Sequence, residues 1–152
     1  MNIRGISFRV PQGRTDLLRE ILDGINVQSL FWYNVESQNE VWSIPRYEEL
    51  FKEEYYDGPS FYEQIKLPHF VVFLKLQAYL KEEPYVDIHT YDEFMESSCL
   101  LLVLIYDCEF VEIFSKDKYI TQKLFDNACR KSFLETVLIT DETDGRTKMD
   151  VL

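Results

Sequence analysis

The chain has 152 residues, 46% of them hydrophobic and 28% charged, with five glycines and five prolines, a composition that fits one globular domain spanning 1–152 and excludes a low-complexity tail or flexible linker. Sixteen basic against 27 acidic side chains give a net charge of −11, the wrong sign for holding a phosphate backbone, so no nucleic-acid partner is expected. The longest apolar run, Leu100 to Tyr106, falls far short of the roughly 20 residues that cross a bilayer, so no membrane span is expected either.

The start, "MNIRGISFRVPQG", alternates polar and apolar positions and lacks the continuous apolar stretch of a secretory signal. Ile6, Phe8 and Val10 fall on one face of a strand that Pro11 and Gly13 end. "TDLLREILDG" then places Leu17, Leu18, Ile21, Leu22 and Ile25 at helical spacing, with Thr15 or Asp16 as cap and Gly24 for the closing turn. "LFWYNVES" and "EVWSI" read as two strands joined by a tight turn at "SQN". Pro45 stops the second, and short helical signals follow at "RYEELF" and at "SFYEQI", where Ser60 and Glu63 have capping-box spacing.

"FVVFLKLQAYLK" predicts a strand with one buried face: Phe70, Val72, Leu74, Leu76, Ala78 and Leu80 point one way, and Lys75, Gln77 and Lys81 belong to the opposite, open set. Thr90 and Glu93 make a second capping box, predicting a short helix over "TYDEFME". "CLLLVLIY" is apolar on both faces, as in a central strand, and "CEFVEIFS" returns beside it after a turn at Asp107 and Cys108. A longer helix is capped by Asp117 and carries Ile120, Leu124, Phe125, Ala128 and Cys129 on its inner stripe. "TVLIT" is a strand, and "DETDGR" turns into a short last one. Hairpins this frequent predict an α+β fold: a single domain, predominantly antiparallel, with two longer helices on one face and short helices in the connections.

The charge is uneven. Residues 82–117 hold ten Asp or Glu against Lys116 alone, and residues 36–63 hold eight against Arg46 and Lys52. The second block also contains Phe31, Trp32, Tyr33, Trp42, Tyr47, Phe51, Tyr55, Tyr56, Phe61 and Tyr62 at or near it. About half of these aromatics are needed for a core, whereas tyrosines beside acids also suit a surface for a basic protein partner. The candidate partner-binding residues are therefore Glu48, Glu49, Glu53, Glu54, Tyr55, Tyr56, Asp87 and Asp92.

Other constellations are weaker. Cys99 has no local Cys–His signature and reads as a small buried hydrophobe. "DIHTYDE" gathers Asp87, His89, Asp92 and Glu93 without the spacing of a helix-borne metal pair, and "DETDGR" lacks the alternating acids of a calcium loop. No glycine-rich phosphate loop, nucleophile elbow or zinc knuckle occurs. No catalytic residue, metal or cofactor is assigned, which weighs against an enzyme. Three cysteines, an odd number in apolar surroundings, fit reduced thiols in the cytoplasm.

The segments "RGISFRVP", "LQAYL…TYDEFMESSCLLLVLIYD", "VEIFSKD" and "ITDETDGRT" together resemble a family of small uncharacterised cytosolic proteins, a domain of unknown function, from bacilli and related Gram-positive bacteria. The resemblance covers essentially the whole chain and implies a bacterial single-domain protein; it supplies no reaction or ligand. By analogy of size and composition, the leading expectation is an acidic protein-binding module of immunity type that neutralises a basic toxin or effector. The alternative is a small-molecule-binding protein or enzyme using the open sheet face, with Lys75, Gln77, Glu112 and Arg9 converging on a ligand. A third is a purely structural or regulatory subunit.

Overall fold

Leu101, Leu102, Val103, Leu104 and Ile105 are all fully buried, with zero exposure, because each side of their strand is covered and neither needs a polar residue. In the computed structural model, which describes residues 2–146 and 148–152, this strand is the middle of a sheet. The elements in chain order are β1 (Ile3–Arg9), α1 (Leu17–Ile21), β2 (Phe31–Ser43), β3 (Tyr55–Tyr56), α2 (Gly58–Ile65), β4 (His69–Tyr79), α3 (Tyr91–Glu96), β5 (Leu101–Tyr106), β6 (Phe110–Ser115), α4 (Lys118–Arg130) and β7 (Leu134–Thr140). Seven strands form one sheet in the order β3-β2-β4-β5-β6-β1-β7. Every neighbouring pair is antiparallel, so the fold is α+β as expected.

The first face of the sheet carries α1, α2 and α4. Ile6 and Phe8 of β1, Leu74 and Leu76 of β4, and Val103 and Ile105 of β5 meet Leu18 and Ile21 of α1, Phe61 and Ile65 of α2, and Leu124 and Ala128 of α4 in one cluster. Trp32 stacks on Phe61 at 4.3 Å between ring centroids and donates its indole N–H to Val27 O. Gly58 begins α2 where a Cβ would lie 2.0 Å from Gln28 O, so only glycine allows this approach.

Several expectations on this face are corrected. The helix at α1 has only five residues, and the second longer helix is instead α2, with eight. Tertiary partners satisfy α1's ends: Leu18 N donates to Nε2 of the buried His69, and Asn127 of α4 donates to Glu20 O, so no further turns are needed to satisfy these groups. Gly24 serves close packing on Lys123 O rather than a left-handed cap. The cap of α2 is Asp57, which accepts from Ser60 N, while "RYEELF" forms turns and an isolated bridge from Glu49 to Trp42 rather than a helix. On α4 Leu124 and Ala128 are in the core with Ile120 and Phe125 packed against it, as expected, and Thr121 and Asn127 join the buried side, but Cys129 is exposed.

The stretch read as two strands and a turn is one 13-residue strand. β4 is long enough to pair with both halves of β2, Phe31–Asn34 against Leu76–Tyr79 and Asn39–Ser43 against His69–Leu74. Val35 to Gln38 therefore leave the ladder as a bulge rather than reversing the chain.

The second face is not open, a further correction. A smaller cluster built from Tyr79, Ile88, Phe94, Cys99, Leu102, Leu104, Phe114 and Met149 covers it. Lys75 and Gln77 are fully buried there. The lid consists of the segment 80–90, α3 and the C-terminal residues 148–152. α3 is the capping box expected, with Thr90 Oγ1 accepting from Glu93 N and Glu93 accepting from His89 N. No strand follows β7 among the described residues; Thr147 lies outside them. Among the described residues no helix is long and apolar enough to cross a membrane.

Candidate functional site

The bulge in β2, Glu54 just before the two-residue strand β3 and the segment after β4 meet at one edge of the sheet and line a cleft of about 400 Å³. Its walls include Tyr33, Val35, Glu36, Glu54, Tyr85 and Asp87. Tyr33 is the hub: its ring lies 5.1 Å from that of Tyr55 and 5.6 Å from that of Tyr85. Both inner hydroxyls are engaged, Tyr33 Oη donating to Glu83 O at 2.5 Å and Tyr55 Oη to Glu82 Oε2 at 2.6 Å. The rings are thereby fixed.

The backbone under the acids is fixed as well. Asn34 N donates to Glu54 O at 2.9 Å, and the buried Asn34 Nδ2 donates to Glu53 O at 2.5 Å, so the main chain faces inward and the Glu53 and Glu54 side chains are exposed. Beyond Glu54 a second hollow of about 150 Å³ is walled by Glu36, Glu49, Glu53 and Glu54. Among the described residues no lysine or arginine forms an ion pair with Glu36, Glu49, Glu53, Glu54, Glu82 or Asp87. Burial, and then the neighbouring carboxylates, push the Tyr33, Tyr55 and Tyr85 hydroxyls above the usual phenol range. Burial, the larger cause, disfavours any charge there, whereas the carboxylates' share of the shift favours a cation.

The second face carries a different polar arrangement. Lys75 Nζ donates to Ile88 O and sits 2.8 Å from Asp150 Oδ1. Gln38, from the bulge, donates to Asp150 at 2.7 Å and accepts from Val151 N, while His89 Nδ1 lies 3.1 Å from the same carboxylate. Burial raises the Asp150 carboxyl, but the bonds from Lys75, Gln38 and His89 outweigh it and hold it at about 2. Beside this lies a cavity of about 630 Å³ at Arg9, Tyr106, Glu112 and Arg146. Its charges already pair, Arg146 with Glu112 at 2.7 Å and Arg9 with Glu109 and Glu135 at 3.3 Å. Among the described residues the Arg9 Nε has no hydrogen-bond partner.

Residues 3–150 match the family described as Protein of unknown function (DUF2691). The chain belongs to that family. It is also 34% identical over 151 residues to the uncharacterized protein YncE of Bacillus subtilis (strain 168), covering 97% of this chain and 99% of that protein. The resemblance to an uncharacterised domain-of-unknown-function family with members in bacilli is thereby confirmed. No solved structure matches the chain.

Of the candidate residues, the fold brings Glu54, Tyr55 and Asp87 together at the cleft, with Glu49 and Glu53 in the adjoining hollow. Glu48 lies in the turn before them, 3.8 Å from Lys52, and Asp92 is exposed on α3 away from the cleft. Tyr56 is buried, and its hydroxyl accepts from Lys52 N and Glu53 N, so it holds the acidic turn rather than presenting a ring to a partner. Tyr85 was not singled out from the sequence. The signal was an aromatic directly after Glu82, Glu83 and Pro84, a context in which a ring has an acidic surface but little core to enter. Of the alternative set, Lys75 and Gln77 are sealed, while Arg9 and Glu112 both line the larger cavity, Glu112 already paired with Arg146. His89 turns to Asp150 rather than to Asp87 or Asp92, and among the described residues no three His, Cys, Asp or Glu side chains cluster to hold a metal.

Cys99 is fully buried, its thiol donating to Leu101 O at 3.0 Å. Burial pushes it up to about 12, so it holds no thiolate at neutral pH.

Proposed function

We propose that this protein is an acidic cytoplasmic protein-binding module that captures a cationic protein, of the immunity type that neutralises a basic toxin or effector. One observation carries the reading: at the β2–β3 edge, unpaired carboxylates surround tyrosines whose hydroxyls are already engaged. Natural surfaces that only need solubility have no use for fixed aromatic rings beside unneutralised acids, whereas interfaces enrich tyrosine and pair opposite potentials. The net charge of −11 extends the attraction beyond the site. At physiological salt that reach is about 8 Å, so association is expected to weaken as salt rises.

The test is affinity capture from a lysate of a bacterium that encodes the chain, followed by binding kinetics with the purified protein captured. Wild type is compared with the variant carrying Glu48→Lys, Glu49→Lys, Glu53→Lys and Glu54→Lys. The expected result is a basic protein whose association slows with salt and whose complex the variant loses. A well-folded variant that binds the same protein at unchanged rate and affinity would remove the reading. The small-molecule alternative retains one supporting observation, the cavity at Arg9, whose Nε has no partner among the described residues.

A further inference from the structure

Two places in this molecule show how it holds a guanidinium. The Arg4 guanidinium carbon lies 3.9 Å from the centroid of the Tyr91 ring while its Nε and Nη1 meet Asp141 and Asp144 at 2.8 and 3.0 Å. Arg146 lies 5.4 Å from the Tyr106 ring centroid and pairs with Glu112 at 2.7 Å. In both, a tyrosine face and a carboxylate together receive one arginine. The cleft at the β2–β3 edge has the same two components, tyrosine faces and carboxylates, with no cation of the protein's own among the described residues.

We propose that this cleft receives one arginine side chain of the basic partner, its guanidinium against Tyr33 and Tyr85 and within reach of Glu36, Glu54 and Asp87. The inference rests on the capture of a cationic protein and names the group that is read. The cleft's volume of about 400 Å³ lies within the range of ordinary ligand cavities. Tyr85 is 40% and Val86 45% exposed, so ring and aliphatic surface is left uncovered beside the acids. Because Tyr33 and Tyr55 have committed their hydroxyls to Glu83 and Glu82, ring surface is what they have left to offer. A planar, weakly hydrated guanidinium gains from ring faces and carboxylates at once, whereas the compact, strongly hydrated lysine ammonium gives up more water to enter.

The test is an NMR titration of the full chain with N-acetyl-arginine amide, N-acetyl-lysine amide and the neutral isostere N-acetyl-citrulline amide, following the ring resonances of Tyr33, Tyr55 and Tyr85. The expected result is saturable shifts of these rings with arginine, binding several-fold weaker with lysine, and none with citrulline. Tyr85→Ala should weaken arginine about tenfold and Tyr85→Phe hardly at all, because the face and not the hydroxyl is used. Asp87→Asn should weaken it a few-fold. Equal binding of citrulline or lysine overturns the assignment, as do shifts that avoid the three rings, or an affinity unchanged in Tyr85→Ala. If arginine leaves the rings unmoved while the partner is still captured in a salt-sensitive way, this inference falls and charge-driven capture stands. If the four-lysine variant keeps its partner, capture itself falls.

Discussion

The two sides of the sheet edge treat charge in opposite ways. Under the C-terminal segment, Lys75 meets Asp150, Arg146 meets Glu112, and Arg4 meets Asp141 and Asp144. At the β2–β3 edge, Glu36, Glu49, Glu53, Glu54 and Asp87 meet no cation among the described residues. For Lys75–Asp150 and Arg146–Glu112 the difference follows from burial, while Asp141 remains exposed. A charge taken from water must be paired, because desolvation outweighs any weak contact, whereas an exposed carboxylate carries no such requirement. Paired charges are spent on the fold, and unpaired ones remain available to a partner.

The largest expected effect tests the seal on the second face. Cys99 belongs to that sealed cluster, while Cys108 and Cys129 are exposed. A thiol reagent should modify Cys108 and Cys129 at ordinary rates and Cys99 orders of magnitude more slowly, until denaturant opens the fold. Rapid native labelling of Cys99, located by peptide mass, would break the picture of a closed face.

Next comes the pair inside it. Lys75 is completely buried and the Asp150 side chain is 12% exposed. Asp150→Ala should cost on the order of 3–5 kcal/mol in urea unfolding, since it leaves a buried ammonium with the Ile88 carbonyl but no counter-charge. Lys75→Met should cost less, because Asp150 keeps Gln38 and His89. Equal small losses in both would show that the tail does not seal the lysine.

Acid sharpens the same contrast at a smaller scale. The Asp150 carboxyl is held at about 2, below its ordinary 3.8, so the folded state binds its proton less readily than the unfolded chain. Its stabilisation is therefore complete above the ordinary value and is lost as pH falls from there towards about 2. The loss is about 2 kcal/mol, absent in Asp150→Asn. His69, buried and donating Nδ1–H to Leu67 O, is lowered by burial. Its contribution is present above the ordinary imidazole value of 6.5 and declines as pH falls below it. His69→Gln should flatten that upper limb of the profile.

The smallest effect is expected at the open edge. Reversing Glu48, Glu49, Glu53 and Glu54 to lysine should change unfolding free energy by no more than about 0.5 kcal/mol per site, because these side chains are exposed and, among the described residues, only Glu48 has even a loose ion-pair partner. A large loss would mean that the edge also belongs to the fold's own bonding.

Much of this architecture was legible in the chain. The run from Leu101 to Ile105 announced a central strand, "TYDEFME" a capped short helix, and Asp107–Cys108 a hairpin, because periodicity, capping and turn chemistry are local. The acidic, aromatic character of residues 36–63 was equally plain. Where the reading failed, the deciding partner was distant in sequence. "SQN" looks like a turn until β4 pairs on both sides of it, and Gln38 has no evident role until Asp150 and Val151 arrive from the other end of the chain.

The sequence by itself determined an acidic α+β protein with a central apolar strand, since composition and period need nothing but neighbours along the chain. Only the tertiary structure decided that Lys75 is sealed, that Tyr56 is internal, and that Tyr33, Glu54, Tyr85 and Asp87 share one cleft. These residues come from β2, β3's approach and the segment after β4. The side of a strand that stays open is fixed by what the rest of the chain lays over it, and alternation along one strand carries no record of that.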